Sequence, residues 1–211
     1  GEMIEKKPYC YQNINGKEVD IPIAYDVTGK DTYRFRLGEY NPGYDLVIDP
    51  ELVYSTYLGG IYGEQATGVA LDKDGCTYVV GTGGASDFPI TPGALNSTMT
   101  NMFITKISPD GKSLVYSTFI GSSDFNGLEK ISDIAVDDGG NAYVAGSGVN
   151  AKFPVTSGAY RTQVNNYADC YITKINEKGN ELIYSTYLGG SNHEFITGLT
   201  LDENNNVYVA G

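Results

Sequence analysis

The chain has 211 residues, of which 41% are hydrophobic and 12% aromatic, and its formal net charge is −12. Nucleic acids and anionic membranes are disfavoured as partners, because both would repel so acidic a protein. No apolar run approaches the roughly 18 residues that a membrane-spanning helix needs. The polar segment 1–8 has no signal-peptide pattern, and the same would be seen if a signal peptide had been cleaved off.

The first fifty residues predict a small β-rich module. The segment 31–37 places Tyr33, Phe35 and Leu37 in alternation with two arginines, which predicts a strand with one buried and one wet face. Similar strands are expected on either side, and the Asp49-Pro50 dipeptide marks the end of this module. The three predicted strands are 19–27, 31–37 and 44–49.

A nine-residue motif then occurs three times. It reads LVYSTYLGG at 52–60, LVYSTFIGS at 114–122 and LIYSTYLGG at 182–190. Other residues recur with it at steps of 65, including Asp72, Asp137 and Asp202 and, six positions later in each copy, a tyrosine. Near-copies at fixed spacing indicate that one structural unit has been duplicated.

Each unit predicts four strands. Two alternating segments are joined by an acidic turn, spelled DKDG, DDGGN or DENNN, whose residues accept turn and left-handed conformations. A loop of variable length leads to the third strand, which contains ITKI, and the repeated motif is the fourth strand with its Gly-rich exit. The Tyr, Thr and Leu side chains of that motif are expected to pack between neighbouring blades.

The sequence therefore predicts an all-β fold of β-propeller-type, four-stranded blades after the N-terminal module 1–50. The repeat region 51–211 supplies about two and a half blades, an incomplete ring, since propellers close with roughly 4 to 8. The chain is then either a piece of a longer protein or a unit that another copy completes. The predicted repeats are 52–122, 123–190 and the partial 191–211, and the predicted strands include one at 52–58.

Four segments make a resemblance to a known family specific: YSTYLGG, AVDDGGNAYVAG, FPVTSGAY and YITKINEKGNELIYSTYLGG. They resemble the SBBP (seven-bladed beta-propeller) repeats of bacteria and archaea over about 52–211, and 1–50 resembles the β-rich region that precedes such repeats. The resemblance implies a large secreted or cell-surface protein. It implies no catalytic residues for this chain.

No catalytic set emerges from the sequence. The only histidine, His193, lies in a turn between units, without an equivalent elsewhere, and is expected to be a solvated loop residue. Ser147 does not stand in a G-x-S-x-G nucleophile elbow. Cys76 and Cys170 occupy positions where the other units have apolar residues, which favours core packing, whereas the role of Cys10 stays open.

Calcium is the one cofactor that the sequence leaves open. The acidic turns, together with Asp124 and Glu129, could supply carboxylate ligands, but none has the spacing of an EF-hand loop, and turn formation explains the first Asp of each turn better. Lys106 and Lys174 are expected to cover the wet face of the third strand. Asn96 begins a weak glycosylation sequon.

We therefore expect a noncatalytic extracellular or cell-surface module with a structural or adhesive role and no catalytic, cofactor-binding or metal-binding residues. Its partners would be other copies, other surface proteins or polysaccharide, and copies could join head to tail through strand complementation into filaments or a surface layer. The alternatives are a glycan- or calcium-binding propeller, and last a fragment of a carbohydrate-active enzyme, which would need paired carboxylates.

Overall fold

The protein is described by a computed structural model, which covers residues 8–28, 33–49, 54–122, 129–148, 153–164 and 168–211. The chain divides into two compact units, Gly1–Ser55 and Thr56–Gly211. All regular elements of the described residues are β-strands. Within that part of the chain no helix is long and apolar enough to cross a membrane.

The described residues of the first unit form five strands in two sheets. A three-stranded antiparallel sheet has the order β2-β1-β5, and β3 pairs with β4 in a separate hairpin. The β1–β2 turn is Asn15-Gly16, and both residues have positive φ angles, of 53° and 79°, as a tight two-residue hairpin turn requires. The strands are β1 (Tyr9–Ile14), β2 (Lys17–Asp20), β3 (Ile23–Val27), β4 (Tyr33–Leu37) and β5 (Leu46–Asp49).

The core of the first unit is small. Cys10, Ile21 and Ile23 are buried, with Leu37 packed against them. Gln12 is fully buried as well, because its side-chain amide donates to the carbonyl oxygens of residues 41 and 44 and accepts the N–H of residue 41, at 2.8 to 2.9 Å. The glutamine thereby holds the turn before β5.

Two predictions for the first unit are wrong in detail. The strand predicted over 19–27 is two strands, because the chain leaves the sheet at Ile21-Pro22, where proline has no N–H to donate. In β4 the predicted buried face holds at Leu37, whereas Phe35 is 39% exposed. The core lies at the end of the hairpin where Leu37 pairs with Ile23. Pro50, at the predicted boundary, lies outside the described residues.

The described residues of the second unit form two complete four-stranded antiparallel blades and one two-stranded half blade. Blade one has the order β6-β7-β8-β9, blade two the order β10-β11-β12-β13, and the half blade is β14-β15. This confirms the predicted propeller-type fold. The strands are β6 (Gln65–Leu71), β7 (Thr77–Thr82), β8 (Met102–Ile107), β9 (Leu114–Ile120), β10 (Lys130–Val136), β11 (Ala142–Gly148), β12 (Asp169–Ile175), β13 (Leu182–Leu188), β14 (Gly198–Leu201) and β15 (Val207–Ala210).

The acidic turns between the first two strands of each blade have the predicted conformation. Gly75, Gly140 and Asn205 stand at equivalent positions and have φ angles of +81°, +77° and +61°. Glycine and asparagine are the residues that adopt this left-handed region at low cost. The turn is therefore conserved in shape within the chain although its sequence changes.

Blades one and two bury a common core, and their first strands lie side by side, as do the first strands of blade two and the half blade. Ile134 of β10 packs against Gly68 of β6, where a Cβ atom would lie 3.2 Å from the isoleucine. Within the described residues, three hydrogen bonds run from blade one to main-chain oxygens of the next unit. They run from Tyr78 Oη to Gly140 O (2.9 Å), from Leu95 N to Gly179 O (3.1 Å) and from Asn101 Nδ2 to Glu129 O (3.3 Å).

The variable loop between the second and third strands lies along the outer edge of its blade. In blade one Thr91 exchanges hydrogen bonds with Ser117, and the Phe119 N–H donates to Asn96 O. In blade two Thr156 bonds Ser185 in the same way. The predicted loop is confirmed, and it covers the edge that the fourth strand would otherwise expose.

The strand predicted at 52–58 is wrong, since residues 54–58 form no strand and residues 52–53 lie outside the described part. A strand is defined by its pairing with a neighbour, and no strand among the described residues pairs with this segment. The packing predicted for the repeated motif holds in part. Tyr116 is buried against Gly179 of blade two, but Thr118 bonds the loop of its own blade and Leu188 is 39% exposed.

Candidate functional site: a repeated aspartate–tyrosine–lysine cluster

Asp72 is the centre of a buried polar cluster in blade one. Its Oδ1 accepts the N–H groups of Asp74 and Cys76, at 3.0 and 2.9 Å, and so closes the acidic turn. Its Oδ2 lies 2.9 Å from Lys106 Nζ and 3.3 Å from Tyr78 Oη. The aspartate side chain is 3% exposed and the lysine side chain 11% exposed. The carboxylate therefore joins the turn, the second strand and the third strand.

Blade two repeats the cluster with two additions, one from an asparagine side chain and one between the lysine and the tyrosine. Asp137 Oδ1 accepts the N–H groups of Gly139 and Asn141, while Oδ2 accepts from Tyr143 Oη and lies 3.1 Å from Lys174 Nζ. The Asn141 side-chain amide donates to both carboxylate oxygens. The lysine ammonium also donates to Tyr143 Oη and stands 4.5 Å from the centre of that ring, within cation–π distance.

These contacts keep the aspartates and the lysine of the cluster in their charged forms. Desolvation raises the pKa of Asp137, but hydrogen bonds from Asn141, Lys174 and Tyr143 outweigh it, and the pKa ends below its ordinary value of 3.8. The pKa of Asp72 is lowered in the same way, against desolvation, by Lys106 and by the N–H groups of its turn. Desolvation lowers the pKa of Lys174, yet its bonds to Tyr143 and Asp137 leave that pKa above 10.5.

These pKa shifts predict stability limits at both ends of the pH scale. Asp72 and Asp137 have folded pKa values below their unfolded values, so their stabilisation is complete above about pH 4 and is lost as pH falls through the folded pKa. Lys174 has a raised pKa, so its stabilisation is lost only as pH rises above about 10.5. We expect urea midpoints to be flat from pH 5 to 9 and to fall steeply below about pH 4. An unchanged midpoint at pH 3 would contradict the assignment.

The half blade has the turn and the tyrosine of the cluster. Asp202 Oδ1 accepts the N–H groups of residues 204 and 206, at 2.9 and 2.8 Å, and Tyr208 Oη lies 3.3 Å from Asp202 Oδ2. Hydrogen bonds from Asn206 lower the pKa of Asp202. No lysine or arginine among the described residues forms an ion pair with this carboxylate. Tyr208 is 57% exposed, whereas Tyr78 and Tyr143 are buried.

The prediction that Lys106 and Lys174 cover a wet face is wrong. Both ammonium groups point into the cluster, because the third strand pairs Lys106 opposite Tyr78 and Lys174 opposite Tyr143. The turn aspartate then lies within reach of each lysine. The signal was present in the sequence, since an Asp, a Tyr and a Lys recur together in both complete units.

A repeated glutamate was not recognised from the sequence. Glu64, Glu129 and Glu194 stand at steps of 65. Glu64 accepts the N–H groups of Gly60 and Ala85 at 3.1 and 3.2 Å, and the buried Glu129 accepts the Ser122 N–H at 3.0 Å. The glutamate therefore fastens the exit turn of one blade to the start of the next. Its equal spacing is the signal that could have revealed it.

The remaining candidates for catalysis or glycosylation are found in loops or within a strand. His193 is exposed, as predicted, and its Nδ1 accepts the Ala168 N–H at 3.2 Å. Ser147 is buried within β11. Asn96, at the start of the sequon, accepts the Thr98 N–H through its side chain.

All three cysteines are buried free thiols, which confirms core packing for Cys76 and Cys170. Burial raises the pKa of Cys10, and burial with the charges of Glu194 and Asp169 raises that of Cys170 to about 11.

We expect the thiols to react with a disulfide reagent at pH 8 at least about 100-fold more slowly in the folded chain than in denaturant, because the reactive thiolate is scarce and inaccessible. Counting thiols with and without denaturant measures this, with a Cys170→Ala variant to identify that position. Rapid release of one equivalent from the folded chain would show that one thiol is accessible.

A cavity of about 510 Å³ lies between blades one and two, next to the first cluster. Its lining carries both signs of charge, from Asp72, Lys106 and Glu177 among others. No group of three or more His, Cys, Asp or Glu residues suited to a metal occurs in the part of the chain that the structure describes. Calcium stays a prediction, and Asp124 lies outside the described residues. The turn aspartates are already bonded to N–H groups and, in the complete blades, to lysine.

Antiparallel four-stranded blades whose first strands lie side by side define a protein of β-propeller-type repeats. Residues 183–211 match the Beta-propeller repeat family, SBBP, so the chain carries this repeat. The match runs from β13 through β15 and so crosses from one blade into the next. Residues 1–51 match a domain of unknown function (DUF7948). A comparison with curated proteins gives no match.

Proposed function

We propose that the chain is a noncatalytic extracellular or cell-surface module, whose propeller repeats serve a structural or adhesive role. The observation that carries this proposal is that the recurring polar residues bond to other parts of the fold. Asp72, Lys106 and Glu64, with their equivalents in blade two, hold turns and blades together. The segments that differ between units lie on the outer edges of the blades, where another protein or a polysaccharide has access.

Co-sedimentation with insoluble polysaccharides tests the adhesive role. Tyr160 lies in the variable loop of blade two and is 85% exposed, so Tyr160→Ala should lower the bound fraction. Tyr62 is 67% exposed but lies in the segment before β6, outside the variable loops, and Tyr62→Ala should leave binding unchanged. Release of soluble sugars during the assay would favour a carbohydrate-active enzyme instead.

A specific observation also supports assembly of copies head to tail. Val69 of blade one is 66% exposed, whereas Ile134, the equivalent residue of blade two, is 5% exposed because it packs on blade one. Tyr208 is exposed at the opposite end of the row of blades. The face of one copy that contains Tyr208 could therefore pack on the face of the next copy that contains Val69, as blade one packs on blade two within the chain. Such a heterologous contact grows without closing unless the rotation closes a ring.

Molecular mass over a concentration series, with and without calcium, tests this assembly. We expect mass to rise with concentration, and Val69→Lys to abolish the rise, since a buried unpaired charge opposes association. Ile183→Lys is the matched control, because Ile183 is exposed on the outer strand β13. A single monomer mass at high concentration would rule out head-to-tail assembly. A change in mass only with calcium would favour the calcium-binding alternative.

A further inference from the structure

The cavity of about 510 Å³ between blades one and two is lined by residues of these two complete blades. Blade one contributes the acidic turn between β6 and β7, together with Lys106 of β8 and Val115 of β9. Blade two contributes the acidic turn between β10 and β11 and the turn between β12 and β13. The volume lies within the range of about 300–1,000 Å³ that is usual for small-molecule pockets. The cavity is therefore large enough to hold a ligand.

Lys106, in the lining of this cavity, makes fewer contacts than its equivalent in blade two. Its Nζ lies 2.9 Å from Asp72 Oδ2 and 4.8 Å from the centre of the Tyr78 ring. Lys174 makes the corresponding two contacts and also donates to Tyr143 Oη. An ammonium group has three N–H donors, and Lys106 is only 9% exposed. Among the described residues Lys106 therefore has a donor left over, and an acceptor in the cavity would satisfy it.

Gly140 of blade two keeps this ammonium group open to the cavity. Its carbonyl oxygen accepts the Tyr78 hydroxyl at 2.9 Å, which brings the main chain of the turn next to the cluster of blade one. A Cβ at this position would lie 3.7 Å from Lys106 Nζ, so any side chain would begin in contact with the ammonium group. Because the residue is glycine, the cavity extends to the lysine.

The rest of the lining combines hydrogen-bond donors with acceptors. Lys73 and Lys178 supply ammonium groups, Asp138 and Glu177 supply carboxylates, and all four residues are exposed. Of the described residues that line the cavity, only Val115 has an apolar side chain. An apolar ligand would deprive these charged groups of water without replacing its hydrogen bonds. A ligand with several hydroxyl groups fits better, because each hydroxyl can donate to a carboxylate or accept from an ammonium group.

We propose that this cavity binds a neutral sugar unit, either in a free saccharide or at the end of a polysaccharide chain. One hydroxyl oxygen accepts from Lys106, and neighbouring hydroxyl groups donate to the carboxylates of Asp138 and Glu177. The net charge of −12 opposes an anionic ligand, and the ammonium group of Lys106 opposes a cationic one. The site deepens the adhesive role proposed above, and rests on it only for a polysaccharide as the source of the sugar.

Titration of the isotopically labelled full chain with neutral disaccharides, followed by two-dimensional NMR, tests the proposal. The probes are cellobiose, maltose and N,N′-diacetylchitobiose. We expect at least one of them to shift the amide resonances of Gly139 and Gly140 in a saturable manner. Digalacturonic acid and putrescine, as anionic and cationic probes, should bind at least about tenfold more weakly, the size expected when one hydrogen bond to a charged group is lost. Tighter binding of either charged probe would contradict a neutral sugar as the ligand.

Two matched variants place the binding in the cavity. Val115→Trp puts an indole ring into the cavity from an exposed position, outside the aspartate–tyrosine–lysine cluster, and should abolish the saturable shifts. Ile183 is the equivalent residue of blade two and is equally exposed, at 48% against 49% for Val115, but does not line the cavity. Ile183→Trp should therefore leave binding unchanged.

The outcomes separate this site from the adhesive role. Absence of saturable shifts with all three disaccharides, or shifts that Val115→Trp leaves unchanged, would overturn the proposal. Disaccharide binding by a chain that does not sediment with polysaccharide would uphold the cavity site and reject the adhesive role. Sedimentation with polysaccharide in a chain that binds no disaccharide would reject the cavity site and leave adhesion to the outer loops.

Discussion

Asp137→Ala is expected to destabilise the second unit by about 3–5 kcal/mol, the range found when one partner of a buried ion pair is removed. The substitution leaves Lys174 without its carboxylate, 17% exposed, and it also removes the acceptor for the N–H groups of Gly139 and Asn141. Urea denaturation followed by far-ultraviolet circular dichroism measures the loss.

Two comparisons show whether the ion pair causes this loss. Asp202→Ala removes the equivalent aspartate of the half blade, which has no lysine partner among the described residues, and should cost much less than Asp137→Ala. Adding Lys174→Met to Asp137→Ala should restore part of the stability, since the unpaired charge is then gone. Equal losses for the two aspartates would assign the effect to the turn alone.

Tyr171→Ala is expected to cost about 3–5 kcal/mol, as truncation of a large buried aromatic residue does. The ring is 1% exposed and stacks on Phe153 with centroids 3.8 Å apart. It also contacts Met102 of blade one, so its removal opens space between two blades. The free energy of unfolding, measured as for Asp137→Ala, gives the result.

Tyr171→Phe separates the ring from the hydroxyl. Phe103 already occupies the equivalent position in blade one, so the phenylalanine ring fits this site. We expect a loss of about 1 kcal/mol, the typical net contribution of one hydrogen bond. A loss as large as that of the alanine variant would mean that the bond to Lys130 O, and not packing, holds the ring.

The sequence predicted the blades well because each unit repeats its own pattern. Turn residues, strand alternation and the loop of changing length occur in more than one copy, so an error in one unit is corrected by the others. The left-handed turn residue is an example, since Gly75, Gly140 and Asn205 all belong to residue types that adopt that conformation.

The errors concern contacts between distant segments. Strand alternation predicts a wet face for Lys106, because alternation gives no information on a carboxylate that lies 34 positions earlier in the chain. Strand β1 was not predicted, and its buried Gln12 is satisfied by a turn 29 to 32 positions later. The segment 54–58 has a strand sequence, but no strand among the described residues pairs with it. Local pattern cannot decide such cases, because the partner determines the outcome.

The hydrogen bonds between blades have a consequence for how such a chain can change over time. Tyr78, Leu95 and Asn101 all donate to main-chain carbonyl oxygens of the next unit, and every amino acid supplies that acceptor. A substitution that keeps the backbone conformation on the accepting side therefore leaves these bonds in place, although side-chain contacts such as that of Ile134 with Gly68 still couple neighbouring units. Whole units can be copied, lost or exchanged by recombination while each new junction already has its bonding partners.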